Sequence, residues 1–316
     1  MGQTLIADIG GSNSRLALAG ASGWPERILV TENAMMADLE TAVARYLQET
    51  GARPRAATFA IAGPILGEEI ALTNCAWRFR RSELANRFGF TRLQIVNDFE
   101  AIAWALPRLT AAHVRPLGQG ALSKEGVKLV LGPGTGLGVA ALLPVGRRGY
   151  AIASEGGHIL FGAHGTDERD VFDRLHEERG TVSAEMVLSG PGLLRLARAL
   201  HPGCGYREPE AVIAAARGGD VAAQAVTRLF VRLLGRFAGD MALAFKALGG
   251  VYIAGSIVCG LGPLLDEAVF RAAFEGHPPH ETLLQAAPTF LITSDQPGLI
   301  GCAALAQMNE QAQARA

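Results

Sequence analysis

Three features of the sequence predict an α/β fold in two domains. Apolar runs of strand length alternate with stretches of helical period along most of the chain. The 316 residues, 49% hydrophobic and 19% charged, suffice for two globular domains sharing one cleft. A stretch rich in Pro, Gly and polar residues, Pro107 to Gly126, breaks the pattern. A boundary there leaves a smaller domain, residues 1–109, and a larger one, residues 110–297.

Taken in order, QTLIADIG and RLALAG are adjacent strands and predict a hairpin, and AATFAIAG, EEIALTN and LQIVNDF continue the strand series. Leu39 to Glu49 and Ser82 to Phe88 read as helices, the second with Ser82 as N-cap. VKLVLG, GVAALLPV and GYAIASE follow as strands. From Ala222 to Ala247, Val226, Leu229, Phe230, Leu233, Leu234, Phe237, Met241 and Phe245 form one apolar stripe that stops at Gly249-Gly250, the mark of a long helix with one packed face. GVYIAGSI and TFLITSD close the strand series, and a helix from Pro297 to Met308 starts with proline near its first turn, where no N–H is missed. Adjacent early strands and later strand–helix alternation predict a mixed sheet covered by helices.

Composition narrows the function. The formal net charge is -1 and no Lys/Arg block occurs, so neither nucleic acid nor an anionic membrane is an expected partner. Leu129 to Gly146 and Ala247 to Leu265 carry no charge, but each holds five glycines and at least one proline, so they read as buried strands and glycine loops rather than membrane spans. Cys75, Cys204, Cys259 and Cys302 show no CxxC spacing and the seven histidines no HExxH, which fits reduced thiols and no zinc site. MGQTLIADIGG has no basic n-region and reaches Asp8 early, and Ile6 stands where myristoylation needs Ser or Thr. The expectation is a soluble, cytoplasmic protein.

Two glycine clusters follow apolar strands: DIGGSNSR, with Asp8, Gly10, Gly11, Ser12 and Asn13, and GPGTGLG, with Gly134, Thr135 and Gly136. Without Cβ atoms, successive N–H groups can approach a phosphate, and hydroxyls add donors. No Gly-Lys pair and no GxGxxG spacing occur, which excludes Walker A and dinucleotide-binding loops. A third loop, AGSI, places Gly255 after another strand. Each cluster alone also fits a tight turn; three together favour a nucleotide. Asp8 suits magnesium held through its water shell, ahead of an Asx-turn as its structural alternative.

A second group consists of polar residues stranded in apolar sequence: Asn97 and Asp98 in LQIVNDFEAIAWAL, Glu155 and His158 in SEGGHILFG, and Glu185 in TVSAEMVLSGPG. A neutral polyol needs fixed carboxylates, amides and an imidazole to meet its hydroxyls. Structural roles stand beside this one: Asp98 as the N-cap of its helix, Glu185 as a first-turn acid after Ser183, His158 as a core histidine. Phosphoryl transfer to a hydroxyl asks one carboxylate to accept the proton.

DIGGSNSRLAL, FAIAGPI, LTNCAW, IVNDFEAIA, GPGTGLGVA, SEGGH, VSAEMVLSGPGL, GRFAGDMAL, YIAGSIV and PGLIG, in this order and over nearly the whole chain, resemble the bacterial glucokinase family. The resemblance implies an actin-like, ribonuclease H-like sugar kinase fold: two α/β domains hinged about an interdomain cleft, with a C-terminal helix, residues 298–316, joining the N-terminal domain. It implies ATP and Mg²⁺ as cosubstrates, glucose phosphorylated at its 6-hydroxyl, and a homodimer. Asp98 then matches the catalytic base, and Asn97, Glu155, His158 and Glu185 match sugar ligands. Asp8 to Asn13 resembles the first phosphate loop, Gly134 to Gly136 the second, and the YIAGSI segment with Gly255 the adenosine side. GGSN stands for the familiar GGTN, which keeps the hydroxyl. AGSI stands for AGGI, and a positive φ at Ser256 would strain that residue. A kinase for another hexose or an amino sugar, or a sugar sensor on the same fold, are the competing readings.

Overall fold

The structure, a computed structural model, describes residues 3–73, 75–146 and 148–313. Two compact units divide the chain at Thr110/Ala111 and Thr293/Ser294, the last segment belonging with the first unit.

The first unit holds strands β1 (Thr4–Ile9), β2 (Asn13–Ala19), β3 (Pro25–Glu32), β4 (Ala56–Ile61), β5 (Glu69–Ala71), β6 (Arg78–Arg80) and β7 (Arg92–Asn97), and helices α1 (Leu39–Thr50), α2 (Arg81–Phe88) and α3 (Asp98–Ala105). Its main sheet runs β3-β2-β1-β4-β7, with β2 antiparallel to both β1 and β3, and with β1, β4 and β7 parallel. Strand alternation sends Leu5, Ala7 and Ile9 to one face, against Val43 and Tyr46 of α1, and Ile6 to the other. Both faces are therefore covered, which is why these strands read as continuous apolar runs.

The second unit holds β8 (Val114–Pro116), β9 (Lys128–Pro133), β10 (Leu137–Val145), β11 (Arg148–Ser154), β12 (Val251–Ile253) and β13 (Thr289–Ile292) in the order β11-β10-β9-β12-β13-β8. Its helices are α4 (Thr166–Arg179), α5 (Ala184–Val187), α6 (Gly190–Leu200), α7 (Pro209–Arg217), α8 (Val221–Phe245), α9 (Ser256–Leu261), α10 (Glu267–Glu275) and α11 (Glu281–Ala286). Apart from β8, the order and directions repeat those of the first sheet: an antiparallel meander, then two parallel strands. The uncharged stretch from Leu129 to Gly146 is the β9–β10 hairpin, and that from Ala247 to Leu265 carries β12 and α9. Among the described residues no helix is long and apolar enough to cross a membrane.

The sequence reading needs corrections at helix ends. Ser82 is not an N-cap: α2 starts at Arg81, and the Ser82 N–H donates to Glu68 Oε1 at 2.6 Å. The long helix begins at Val221, capped by Asp220 accepting from the Ala223 N–H, and stops with Lys246 rather than a glycine in the left-handed conformation, φ 47°. Strand β3 escaped the sequence reading because Ile28 and Val30 are apolar but exposed.

The chain returns to the first unit as α12 (Pro297–Gln313), which buries Leu299, Cys302, Ala303 and Leu305 against the face carrying Ile6, Ala60 and Val96. Fully buried leucines each contribute about 1.5–3 kcal/mol. α12 also crosses α3 closely, because Gly301 rests on Ala101 with no room for a Cβ beside the Ala101 carbonyl. Gly301→Ala is therefore expected to destabilise the protein by about 1–3 kcal/mol, read as a lower urea midpoint, since the obstruction is backbone that cannot swing aside.

Candidate active site

In the first unit, parallel pairing fixes the site. Ile9 stands beside Ile61, and Ile61 beside Asn97, so the chain leaves β1, β4 and β7 at one edge of the sheet. Ligand sites in open α/β sheets form at this carboxyl edge. It gathers Asp8 with the Gly10–Asn13 loop, the Gly63 turn, and Asn97-Asp98.

Asn97, not Asp98, caps α3. Its Oδ1 accepts from the Phe99 and Glu100 N–H groups at 2.9 and 3.3 Å, and its Nδ2 donates to Gly63 O at 3.3 Å. The N-cap role considered for Asp98 thus falls to its neighbour. Asp98 Oδ1 accepts the Phe99 N–H at 2.9 Å. Burial first, and then the nearby Asp8 charge, push the Asp98 carboxyl up to about 7 against its hydrogen bonds, which pull the other way.

Asp8 lies inside β1, between Arg15 of β2 and Ala60 of β4, so it forms no Asx-turn; the following turn closes through the Gly10 N–H donating to Asn13 O at 3.0 Å. Its carboxyl is also raised, by burial against a smaller opposing pull from Arg15. Asn33, which the sequence reading missed, fastens the loop. Its Nδ2 donates to Gly10 O and Gly11 O at 2.8 and 3.0 Å, its N–H to Ser12 O, and its Oδ1 accepts from the buried Ser14 hydroxyl at 2.6 Å. A trans peptide opposes its C=O and N–H, so with the Gly10 and Gly11 carbonyls on Asn33, the Gly11 and Ser12 N–H groups point away from it. An amide just past the apolar RILVT run was the available signal.

In the second unit the same edge gathers the β9–β10 turn, the β12–α9 turn and the end of β11. Glu185, in the first turn of α5, accepts the Leu137 N–H at its Oε2, 2.8 Å, which ties the sequence-distant SAE segment to the GPGTG loop. A Cβ on Gly136 would lie 2.5 Å from that same oxygen, so a side chain there would displace the Glu185 carboxylate. The loop is also held by the Gly190 N–H donating to Gly134 O at 2.8 Å, and Ser189 caps α6 by accepting the Gly192 N–H at 3.0 Å. This gives the SGPG segment a place that sequence reasoning left unassigned. Thr135 is exposed at the loop tip.

Glu155 and His158 flank a short 3₁₀ turn, with Glu155 Oε2 3.9 Å from His158 Nε2. Both side chains are exposed, so His158 is not a core histidine. Gly157 packs on the Leu137 carbonyl, which sets this pair beside the residue that Glu185 holds. Gly255 takes the positive φ, 104°, at the head of α9, and Ser256 starts the helix without one. The strain anticipated for Ser256 is absent, and its hydroxyl faces Gly134, 4.0 Å from where a Cβ on that glycine would stand. Thus Asp8, Gly10, Gly11, Ser12, Asn13, Asn97 and Asp98 share one sheet edge, while Gly134, Thr135, Gly136, Glu155, His158, Glu185 and Gly255 share the other.

Two sheets of one strand order, each with glycine turns and acids at its carboxyl edge, define the actin-like two-domain class of sugar kinases. A ROK family glucokinase from Streptomyces griseus, solved with glucose and AMPPNP, has this fold: TM-score 0.66, 20% identity, 97% of this chain and 100% of that chain covered. The family model described as Glucokinase matches residues 5–309. A glucokinase from Tolumonas auensis is 40% identical over 309 residues, 96% of each chain. The crystal structure of a glucokinase from an Antarctic psychrotroph is 32% identical with a TM-score of 0.87, covering 96% of this chain and 98% of that one. The chain belongs to the glucokinase family.

The raised Asp98 carboxyl links stability to pH. Between its unfolded value, near 3.9, and about 7, the folded state binds the extra proton, so the cost of this carboxyl is absent below pH 4 and grows until the pH passes 7. Asp98→Asn is expected to leave stability unchanged at pH 4 and raise it by about 2–3 kcal/mol at pH 8, after discounting the full shift for partial exposure. Urea titrations of both proteins at the two pH values measure this difference. Asn33→Ala, which abandons the Ser14 hydroxyl and two loop carbonyls, is expected to cost about 1–3 kcal/mol in the same assay.

Proposed function

We propose that the protein phosphorylates glucose at its 6-hydroxyl with ATP, and that Asp98 is the general base. The observation that carries this reading is a desolvated carboxyl pushed up to about 7, at the junction of β7 and α3, in a chain of the glucokinase family. A base works best when its pKa lies near the operating pH, and such help is worth roughly a hundred- to ten-thousand-fold in rate.

In the proposed reaction the 6-oxygen attacks the γ-phosphorus as Asp98 takes the hydroxyl proton. The bond from that phosphorus to the β–γ bridging oxygen breaks, and ADP leaves. Asn97 spends its oxygen on α3 but keeps a second amide hydrogen for a sugar hydroxyl. Glu185 keeps Oε1 free of the Leu137 bond, and Glu155 and His158 present an acceptor and a ring nitrogen side by side. These groups are the proposed glucose ligands.

Gly10, Gly11, Ser12 and Asn13, with Gly134, Thr135, Gly136 and Gly255, are the proposed ATP contacts. The N–H groups that Asn33 turns outward and the exposed hydroxyls of Ser12 and Thr135 suit phosphate oxygens. Asp8 fits magnesium held through water, because its buried carboxylate lacks solvation that a neighbouring cation would restore. Bound there, magnesium would offset charge on the transferring phosphates. Four cysteines without a disulfide support a reducing, cytoplasmic setting. A homodimer is also part of this proposal.

A hexose panel with ATP and Mg²⁺, read by sugar-phosphate detection, tests the substrate. Glucose 6-phosphate is the expected product; another sugar phosphate, or sugar binding without turnover, would replace this reading with the other-hexose or sensor one. Asp98→Asn is expected to lower kcat roughly a hundredfold or more while glucose still binds by calorimetry, and near-normal kcat would remove Asp98 from the role of base.

A further inference from the structure

The α12 helix carries two glycines within one turn, Gly298 and Gly301, although a glycine inside a helix costs about 0.5–1 kcal/mol relative to alanine. Gly301 is explained by its contact with the α3 backbone. Gly298 meets something different. A Cβ built there would lie 2.6 Å from Asp8 Oδ2, 2.7 Å from Cγ and 3.1 Å from Oδ1, and these are its three nearest atoms. The obstruction is one carboxylate at the end of a movable side chain. That carboxylate lies over the first turn of a 17-residue helix, where the helix dipole favours an anion.

We propose that Gly298 is a positioning residue for Asp8: its missing side chain lets the carboxylate lie against the start of α12, and a methyl group there would displace it. The proposal rests on reading Asp8 as the carboxylate on the magnesium side of the site. Gly301→Ala would push on backbone and lower stability, whereas Gly298→Ala would push on a side chain and misplace it. The PGLIG segment thereby couples the returning helix to the phosphate edge of the first sheet.

The experiment measures ATP binding by calorimetry with and without Mg²⁺, in wild type, Asp8→Asn and Gly298→Ala. Wild type is expected to gain affinity from magnesium, and both variants to lose roughly tenfold or more of that gain, with the metal-free affinity and glucose KM of Gly298→Ala within about twofold of wild type. A full metal-dependent gain in Gly298→Ala would overturn the proposal. A second measurement covers a variant that folds poorly. In an Asp8→Ala background the methyl has room, so Gly298→Ala is expected to raise the urea midpoint there through alanine's better helix propensity; an equal loss in both backgrounds would overturn the contact. Wild type without any metal-dependent gain would contradict the magnesium reading of Asp8, while the stability cycle would still report on the contact.

Discussion

The parallel register of β1, β4 and β7 is the constraint on which the first unit depends. Because Ile9, Ile61 and Asn97 stand side by side, two acids from motifs ninety residues apart emerge at one sheet edge, where burial raises both and the Asp8 charge raises Asp98 further. A single-residue slip would send every apolar side chain of a strand to the wrong face, so the hydrophobic core itself holds the acids in place. Helices α3 and α12 complete the mount: α3 starts on the Asn97 cap, and α12 lies on the same face of the sheet. The cost of desolvating a carboxylate is thus met by packing, and it yields a group able to take a proton near neutral pH.

The second unit uses the same device on different residues. Its parallel strands β9 and β12 end in the Gly134 and Gly255 turns, and antiparallel β10 and β11 bring Leu137 and Glu155 to that edge. Leu137 is the meeting point, with its N–H on Glu185 and its carbonyl against Gly157. The glycine turns and the acids are therefore adjacent by construction, and the SGPG turn ahead of α6 ties down the Gly134 loop. One strand order serves twice, although no short-period repeat marks the sequence, because topology constrains apolar alternation and turn positions rather than residue identity.

Much of this was legible beforehand. Buried strands such as VKLVLG and LQIVNDF announce themselves by unbroken apolar runs, and α8 by its 3.6-residue stripe. Helix ends were less legible: Ser82, Asp98 and Gly249-Gly250 all suggested caps, but the Glu68 carboxylate on Ser82, the Asn97 side chain and a left-handed Lys246 decided the matter. β3 hid because an edge strand leaves Val30 exposed. At the site, the side chains named for chemistry were readable as polar residues in apolar surroundings. Asn33 and Gly190, which hold the loops, were not, since the loop carbonyls they meet are remote in sequence. The serine of AGSI was misjudged for a related reason: the left-handed position is Gly255, one residue earlier.

The fold delivers Asp98 as a buried carboxyl pushed up to about 7, in range to take a proton near neutral pH. Carbon NMR of protein labelled at aspartate carboxyls, with Asp98 assigned by its loss in Asp98→Asn, follows that group directly. A titration midpoint of about 7 is what the account predicts; a midpoint near 4, the value of a solvated aspartate, would contradict it.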